Sequence, residues 1–255
     1  MEVHHHPHVE KKNFKEYFLE FLMIFLAVSM GFFAESLREN INDSEKAKQS
    51  IESLIRSISS DTAQLRQIIN TTEQSVTAID SFILLKQKDV ASETYKSGFY
   101  RYTFTGAFND NYFKSNNAAF EQLRTSGSLR LIKKQNIIDS IFKYDLNNKI
   151  ITAQESDNYF AFRELSSRIA KVADLTVSRD TSVIQRKHID ATHLNFYVVT
   201  EKLPPIVNDP EALREIFNYL SMLRGADDNY VYVLKQQLDY GISLIDFLKK
   251  EYNVE

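Results

Sequence analysis

The sequence predicts an all-α protein. An N-terminal transmembrane helix is expected to continue into a long helix that packs in an antiparallel helical bundle. Three observations carry this expectation. Residues 17–34, YFLEFLMIFLAVSMGFFA, form a strongly apolar run that passes into polar, helix-compatible sequence with no Gly or Pro between them. Only 6 Gly and 4 Pro occur in 255 residues, so turns are few and long helices are favoured. Beyond the run, apolar residues recur at spacings of 3, 4 and 7, which draw one stripe along a helix.

The chain divides into three parts. Residues 1–14 read as a disordered tail holding His4, His5, His6 and His8. Imidazoles in such number can ligate a transition metal, but a flexible terminus accounts for them and no metal is assigned. Residues 15–36 read as the transmembrane helix, and residues 37–255 as the extramembrane helical-bundle domain.

The span was weighed by length. A bilayer core about 30 Å thick needs roughly 20 apolar helical residues, and 17 at the least. The uncharged run 21–34 supplies only 14 residues, but extending it back through Glu20, Leu19 and Phe18 to Tyr17 gives 18, about 27 Å of helix. Glu20 then falls just inside one interface. A carboxylate at that depth costs far less than one at mid-bilayer, and it is a functional-site candidate by default. Residues 21–33 are apolar all round, which argues against a helix lying on the membrane surface. Phe32 stands where a signal peptidase needs a small residue, which argues against a cleaved leader. Ala27 and Gly31 form a small-xxx-small pair that lets two membrane helices approach.

The elements after the span follow in order. Leu37, Ile41, Ile51, Leu54, Ile55, Ile58, Leu65, Ile68, Ile69, Val76, Ile79, Phe82 and Ile83 extend one stripe, so a single helix is expected from about 15 to 86. That stripe needs a cover, either later helices of this chain or a second copy in a coiled coil. Tyr95, Phe99 and Tyr102 mark a short second helix. The Asn-rich stretch 106–117 reads as irregular. Asn116 or Asn117 caps a helix, AAFEQLRTS, which Gly127 ends in the left-handed region. Residues 135–173 carry a further long apolar period. Residues 175–209 are the least regular, with 194–200 (LNFYVVT) as a short strand or buried extended piece. Asp209-Pro210 is an N-cap followed by Pro at the first helical position. Gly225 is expected to end or bend that helix, with a last helix from about Asp227 to Tyr252 and the Asp227-Asp228 pair feeding its N-terminus.

Chemistry-bearing motifs are scarce. The chain has no Cys, which removes disulfides, thiol nucleophiles and Cys-based metal sites. A formal net charge of −3 gives no electrostatic footprint for nucleic acid. His188 and His193 flank Asp190, but without a helical HExxH frame they read as loop histidines. Arg124, Arg130, Lys133 and Lys134 form a cationic patch, read as a solvated helix end. No phosphate-binding glycine loop or nucleophile elbow is present. No catalytic, cofactor-binding or metal residue is therefore assigned.

Two stretches carry a resemblance. Residues 15–39, KEYFLEFLMIFLAVSMGFFAESLRE, preceded by VHHHPH, resemble the N-terminus of single-span membrane proteins common in Bacteroidota. Residues 120–145, FEQLRTSGSLRLIKKQNIIDSIFKYD, resemble the Leu-x-x-Ser-Gly-x-Leu-x-x-Ile segment that recurs in them. The family carries a domain of unknown function. The resemblance implies an architecture, a cell-envelope home and native histidines, but no activity.

The expectation for function is a membrane-anchored binding or scaffold protein, or a sensor-like accessory protein, of the cell envelope without catalysis of its own. Its partners would be the lipid bilayer and a protein partner or second copy, not nucleic acid. Two other classes stand beside it. One is a subunit of an ion-driven or transport complex, for which Glu20 must face protein or water. The other is an enzyme that gathers several of Tyr95, Tyr102, Tyr144, Tyr159 and Tyr230 around buried acids. Lys11, Lys12 and Lys15 lie closer to the span than Arg38, Lys46 and Lys48, so the tail is expected inside the inner membrane and the domain in the periplasm.

Overall fold

The computed structural model describes residues 13–108, 112–179, 184–188, 194–198 and 203–254. The expected all-α architecture is present. Helix α1 runs unbroken over Phe14–Leu84, 71 residues, or about 106 Å. It opens at Asn13, whose backbone N–H donates to the Glu16 carboxylate at 3.1 Å, one arm of a capping box. A 3-10 turn, Leu85–Gln87, closes it.

The two parts of α1 differ in burial. The most apolar 18-residue window is 0% buried, and Phe21, Ile24, Phe25, Met30 and Phe33 are all exposed. Burial begins at Ala47 and then follows the expected stripe through Ile51, Leu54, Ile58, Leu65, Ile79 and Phe82. The stripe is covered by this chain's own later helices.

Helix α2, Glu93–Tyr102, starts where the Ser92 hydroxyl accepts from the Tyr95 N–H at 3.2 Å. It continues into a π-helical turn, Thr103–Ala107. That turn presses on α1 at Gly106, where a Cβ would lie 3.1 Å from Ala78 Cβ and from Ile79 N. The Ser75 hydroxyl donates to the Gly106 carbonyl at 2.7 Å and fixes the contact. Helix α3, Ala118–Thr125, is followed by Gly127 at φ 72°, the left-handed residue expected there. Helix α4 spans Gln135–Val172, 38 residues.

Two sequence expectations need correction. In the irregular region after α4, residues 194–198 do form a strand, but it pairs with a strand the sequence did not announce. Strand β1, Ile184–His188, lies antiparallel to β2, Leu194–Val198, with Ile184 opposite Val198. The polar run IQRKH has no alternating pattern to reveal it. The second correction concerns Gly225. Helix α5 passes straight through it, over Pro210–Tyr252, 43 residues. Leu220, Leu223, Tyr230 and Leu234 lie on one buried face across the glycine, and that packing outweighs about 1 kcal/mol of helix propensity. The start of α5 is as expected. The Asp209 carboxylate accepts from the N–H groups of Glu211 at 3.0 Å and Ala212 at 3.1 Å.

The bundle is built by the second part of α1 with α4 and α5. Helix α5 runs antiparallel to both and packs closely against both, whereas α1 and α4 approach each other much less. Three apolar clusters follow one another along the axis. The nearest to the apolar segment joins Ile51 and Ile58 to Ile137, Ile141 and Leu248. The middle one joins Leu65 to Ile151 and Leu234. The farthest collects Phe82, Phe99, Leu165 and Phe217.

Candidate functional site

The most unusual feature of the bundle is a set of buried polar groups where the connector 112–117 crosses between α1 and α4. Asp61 of α1 is 2% exposed. One carboxylate oxygen accepts from the Asn116 N–H at 2.7 Å. The other accepts from the Ser115 hydroxyl at 2.8 Å and the Tyr144 hydroxyl at 3.0 Å. Three donors replace the water that a buried carboxylate would otherwise lack. From α4, Asn148 donates to the Ser115 hydroxyl at 2.8 Å. From α5, Gln237 donates to the Asn148 side-chain oxygen at 2.5 Å and to the Tyr144 carbonyl at 3.1 Å. Gly241 lets α5 come this close, since a Cβ there would lie 3.0 Å from Thr62 Cγ2 and 3.3 Å from the Tyr144 ring.

A second polar layer lies about two helical turns farther along α4. The Glu155 carboxylate of α4 accepts from the Tyr230 hydroxyl of α5 at 2.6 Å and from the Phe113 N–H at 2.7 Å. Burial, and then the neighbouring Asp61 or Glu155 carboxylate, push the Tyr144 and Tyr230 hydroxyls well above the usual phenol range. Both tyrosines are thus fixed as neutral donors. Farther still, Asn158 donates to Asp227 at 2.9 Å. Asp227 is therefore a buried acceptor inside α5, not the helix-start charge expected from sequence. Asp228 pairs with Arg224, which also holds Asp80 of α1 at 2.9 Å.

Room for a ligand inside the bundle is slight. The cavity beside Asp61, lined by Leu54, Ile58, Tyr144 and Leu244, holds about 10 Å³, enough for one water at most. Outside the connector lies an open cleft of about 450 Å³, lined among others by Lys114, Ser115, Arg124, Lys149 and Glu155. Its charges are largely matched within the fold. Arg124 pairs with Glu121 at 2.8 Å, and Lys149 with Asp145 at 2.7 Å.

The residues singled out in the sequence are scattered. Tyr144 meets the buried Asp61 and Tyr230 the half-buried Glu155, in different layers. Tyr95 is buried in the far cluster, where its hydroxyl has no hydrogen-bond partner among the described residues and burial raises its pKa to about 12. Tyr159 is largely exposed and Tyr102 half-buried. The five tyrosines do not share a pocket. Of the cationic patch, Arg124 and Lys134 are ion-paired, the latter with Glu251, while Arg130 and Lys133 are exposed. Ala27 is exposed, Gly31 has nothing within 4 Å of a built Cβ, and Glu20 is half-buried on the bare segment. The histidine cluster 4–8, Asp190 and His193 lie outside the described residues. Among the described residues no group of three or more metal-ligating side chains gathers.

Sequence reading missed Asp61, Ser115, Asn148 and Gln237. A signal for Asp61 was available, because it sits on the α1 stripe at three residues from Ile58 and four from Leu65. A second surface feature also had a signal. Phe142, Leu146, Ile150 and Phe160 are exposed along the outer face of α4, at helical spacing. Comparison of the chain with protein-family models, curated proteins and solved structures finds no match.

Proposed function

We propose that this chain is a membrane-anchored helical binding or scaffold protein, sensor-like in build, that works through a protein partner or second copy and has no catalysis of its own. One observation carries the reading. A single unbroken helix has a wholly unburied apolar segment at one end and the core stripe of a folded bundle at the other. An unburied run of that length and composition is stable when lipid covers it. The exposed α4 face supports a protein partner, since apolar patches on folded domains mark contact surfaces. The buried acids support binding over chemistry, because their oxygens already accept from the protein's own donors.

In this reading Glu20, Ala27 and Gly31 lie in lipid, the protein crosses the inner membrane once, and the bundle stands in the periplasm. The likeness to the single-span proteins of Bacteroidota points the same way. The test is alkaline carbonate extraction of membranes holding the full-length chain. The protein is expected to stay in the pellet, and release into the supernatant would overturn the anchor. A Cys placed at exposed Ser126, the only thiol in the chain, is expected to react with an impermeant reagent once the outer membrane is opened. Reaction only after the inner membrane is broken would reverse the orientation.

A further inference from the structure

The connector 112–117 is held largely by side chains of the surrounding helices. Three of its amides, those of Phe113, Lys114 and Asn116, donate to them. The Phe113 N–H goes to Glu155 of α4, and to the Tyr230 hydroxyl of α5 at 3.1 Å. The next amide, of Lys114, goes to Gln64 of α1 at 3.0 Å. The Asn116 N–H and Ser115 hydroxyl go to Asp61 of α1. Within four residues the segment is thus tied to α4 and α5 on one side and to α1 on the other. It does so between two helices that approach each other little.

We propose that this segment is a detachable strap that couples α1 to α4 and lifts as one unit without unfolding the bundle. Three features support the device. The strap has no helix or ladder of its own to lose, so its seating depends on a handful of side-chain acceptors and on the buried Phe113 ring. The bundle behind it stays joined when it leaves, because α5 packs against both partners and Arg224–Asp80 and Lys235–Glu73 tie α5 to α1. Space is ready on both sides. The open cleft outside is lined by Phe113, Lys114, Ser115 and Asn117, and the small cavity inside admits a water to Asp61. A seated strap fixes the rotation and height of α1 against α4. A lifted strap leaves α1 held by α5, with α2, its π-helical turn and α3 still seated on α1. The device stands whether or not α1 crosses a membrane.

Hydrogen exchange of the full-length protein in detergent micelles tests this at single-amide resolution. Gln64→Ala removes one peripheral anchor, the acceptor of the Lys114 amide. It is expected to speed exchange at the Phe113 and Asn116 amides, which Gln64 does not touch, by roughly 3- to 10-fold. The core amides of Leu165 and Leu234 are expected to keep their wild-type rates. Ser115→Ala, which cuts a different link, is expected to give the same pattern. Acceleration confined to Lys114 would show separate bonds and no strap. Equal acceleration of strap and core would show that the segment opens only with the whole bundle. An unchanged profile in both variants would show that these bonds do not hold it. Each of the three results would overturn the proposal.

Discussion

The two parts of α1 share one backbone, one helical geometry and no break, yet they obey different rules. Before Ala47 the helix is apolar all round over residues 21–33 and buries no side chain among the described residues. After Ala47 it is apolar on one stripe, and most of that stripe, from Ile51 to Phe82, is buried. The contrast teaches that the environment of a helix is written in the angular spread of its apolar residues, not in their number. An all-round distribution calls for a surrounding solvent of low polarity, and a stripe calls for a partner on one side.

An acidic substitution in each part breaks the comparison most strongly. Ile58→Asp places an unpaired charge in the cluster nearest the apolar segment. It is expected to cost on the order of 4 kcal/mol or more, enough to remove most of the stability of an ordinary domain. Leu26→Asp, in the bare part, is expected to leave the thermal midpoint in detergent unchanged. Its effect should instead fall on membrane insertion, at about 3 kcal/mol near the helix centre. The paired measurement is thermal unfolding in micelles and carbonate extraction. Equal midpoints for Ile58→Asp and wild type would mean that the stripe is not core.

The polar layer sharpens the comparison from within the bundle part. Asp61→Ala leaves the Asn116 amide and the Ser115 and Tyr144 hydroxyls without their acceptor, and is expected to cost about 2–4 kcal/mol in chemical denaturation. The same layer gives an alkaline limb. Tyr144 and Tyr230 have folded-state pKa values raised above the unfolded value of about 10. Above that pH the unfolded chain loses phenolic protons that the folded chain retains. Stability is therefore present in full below about pH 10 and declines as pH rises beyond it. Tyr144→Phe with Tyr230→Phe is expected to flatten that decline, and an unchanged slope would remove these tyrosines as its source.

The smallest expected effects come from two glycines of α5. Gly241 presses on Thr62 of α1, so Gly241→Ala is expected to cost about 1–3 kcal/mol through overpacking. Gly225 is exposed with nothing within 4 Å of a built Cβ. Gly225→Ala is expected to raise stability by up to about 1 kcal/mol, as for any mid-helix glycine. A loss of stability in Gly225→Ala would restore the break that the sequence suggested.

What the sequence disclosed, and what it withheld, has a physical basis. The length of α1 was legible because apolar spacing, the lack of Pro and the presence of only one Gly, Gly31, agree over about seventy residues. Gly127 and Asp209-Pro210 were legible because left-handed backbone and N-capping are local chemistry. Gly225 misled for the opposite reason. A glycine lowers local helix propensity, but whether the helix continues is decided by Tyr230, Leu234 and the faces they meet. The polar layer was harder still. Asp61 lies on the stripe and looks like an interruption, while its partners Ser115, Tyr144 and Gln237 come from three distant segments that only the fold brings together.

The placement of α5 has a consequence for biosynthesis. It is the helix that packs on both α1 and α4, and it is made after both. At about 5–20 residues per second, the 168 residues between Leu84 and Tyr252 take roughly 10–30 s to be made. Through that interval the α1 stripe lacks its main cover, because the long-range contacts with α5 cannot close until α5 is made. The apolar segment, by contrast, is complete before any residue of the bundle is made. The nascent chain is thus expected to be tethered long before it is folded, with the stripe from Ile51 to Phe82 as a client for chaperones at the site of synthesis.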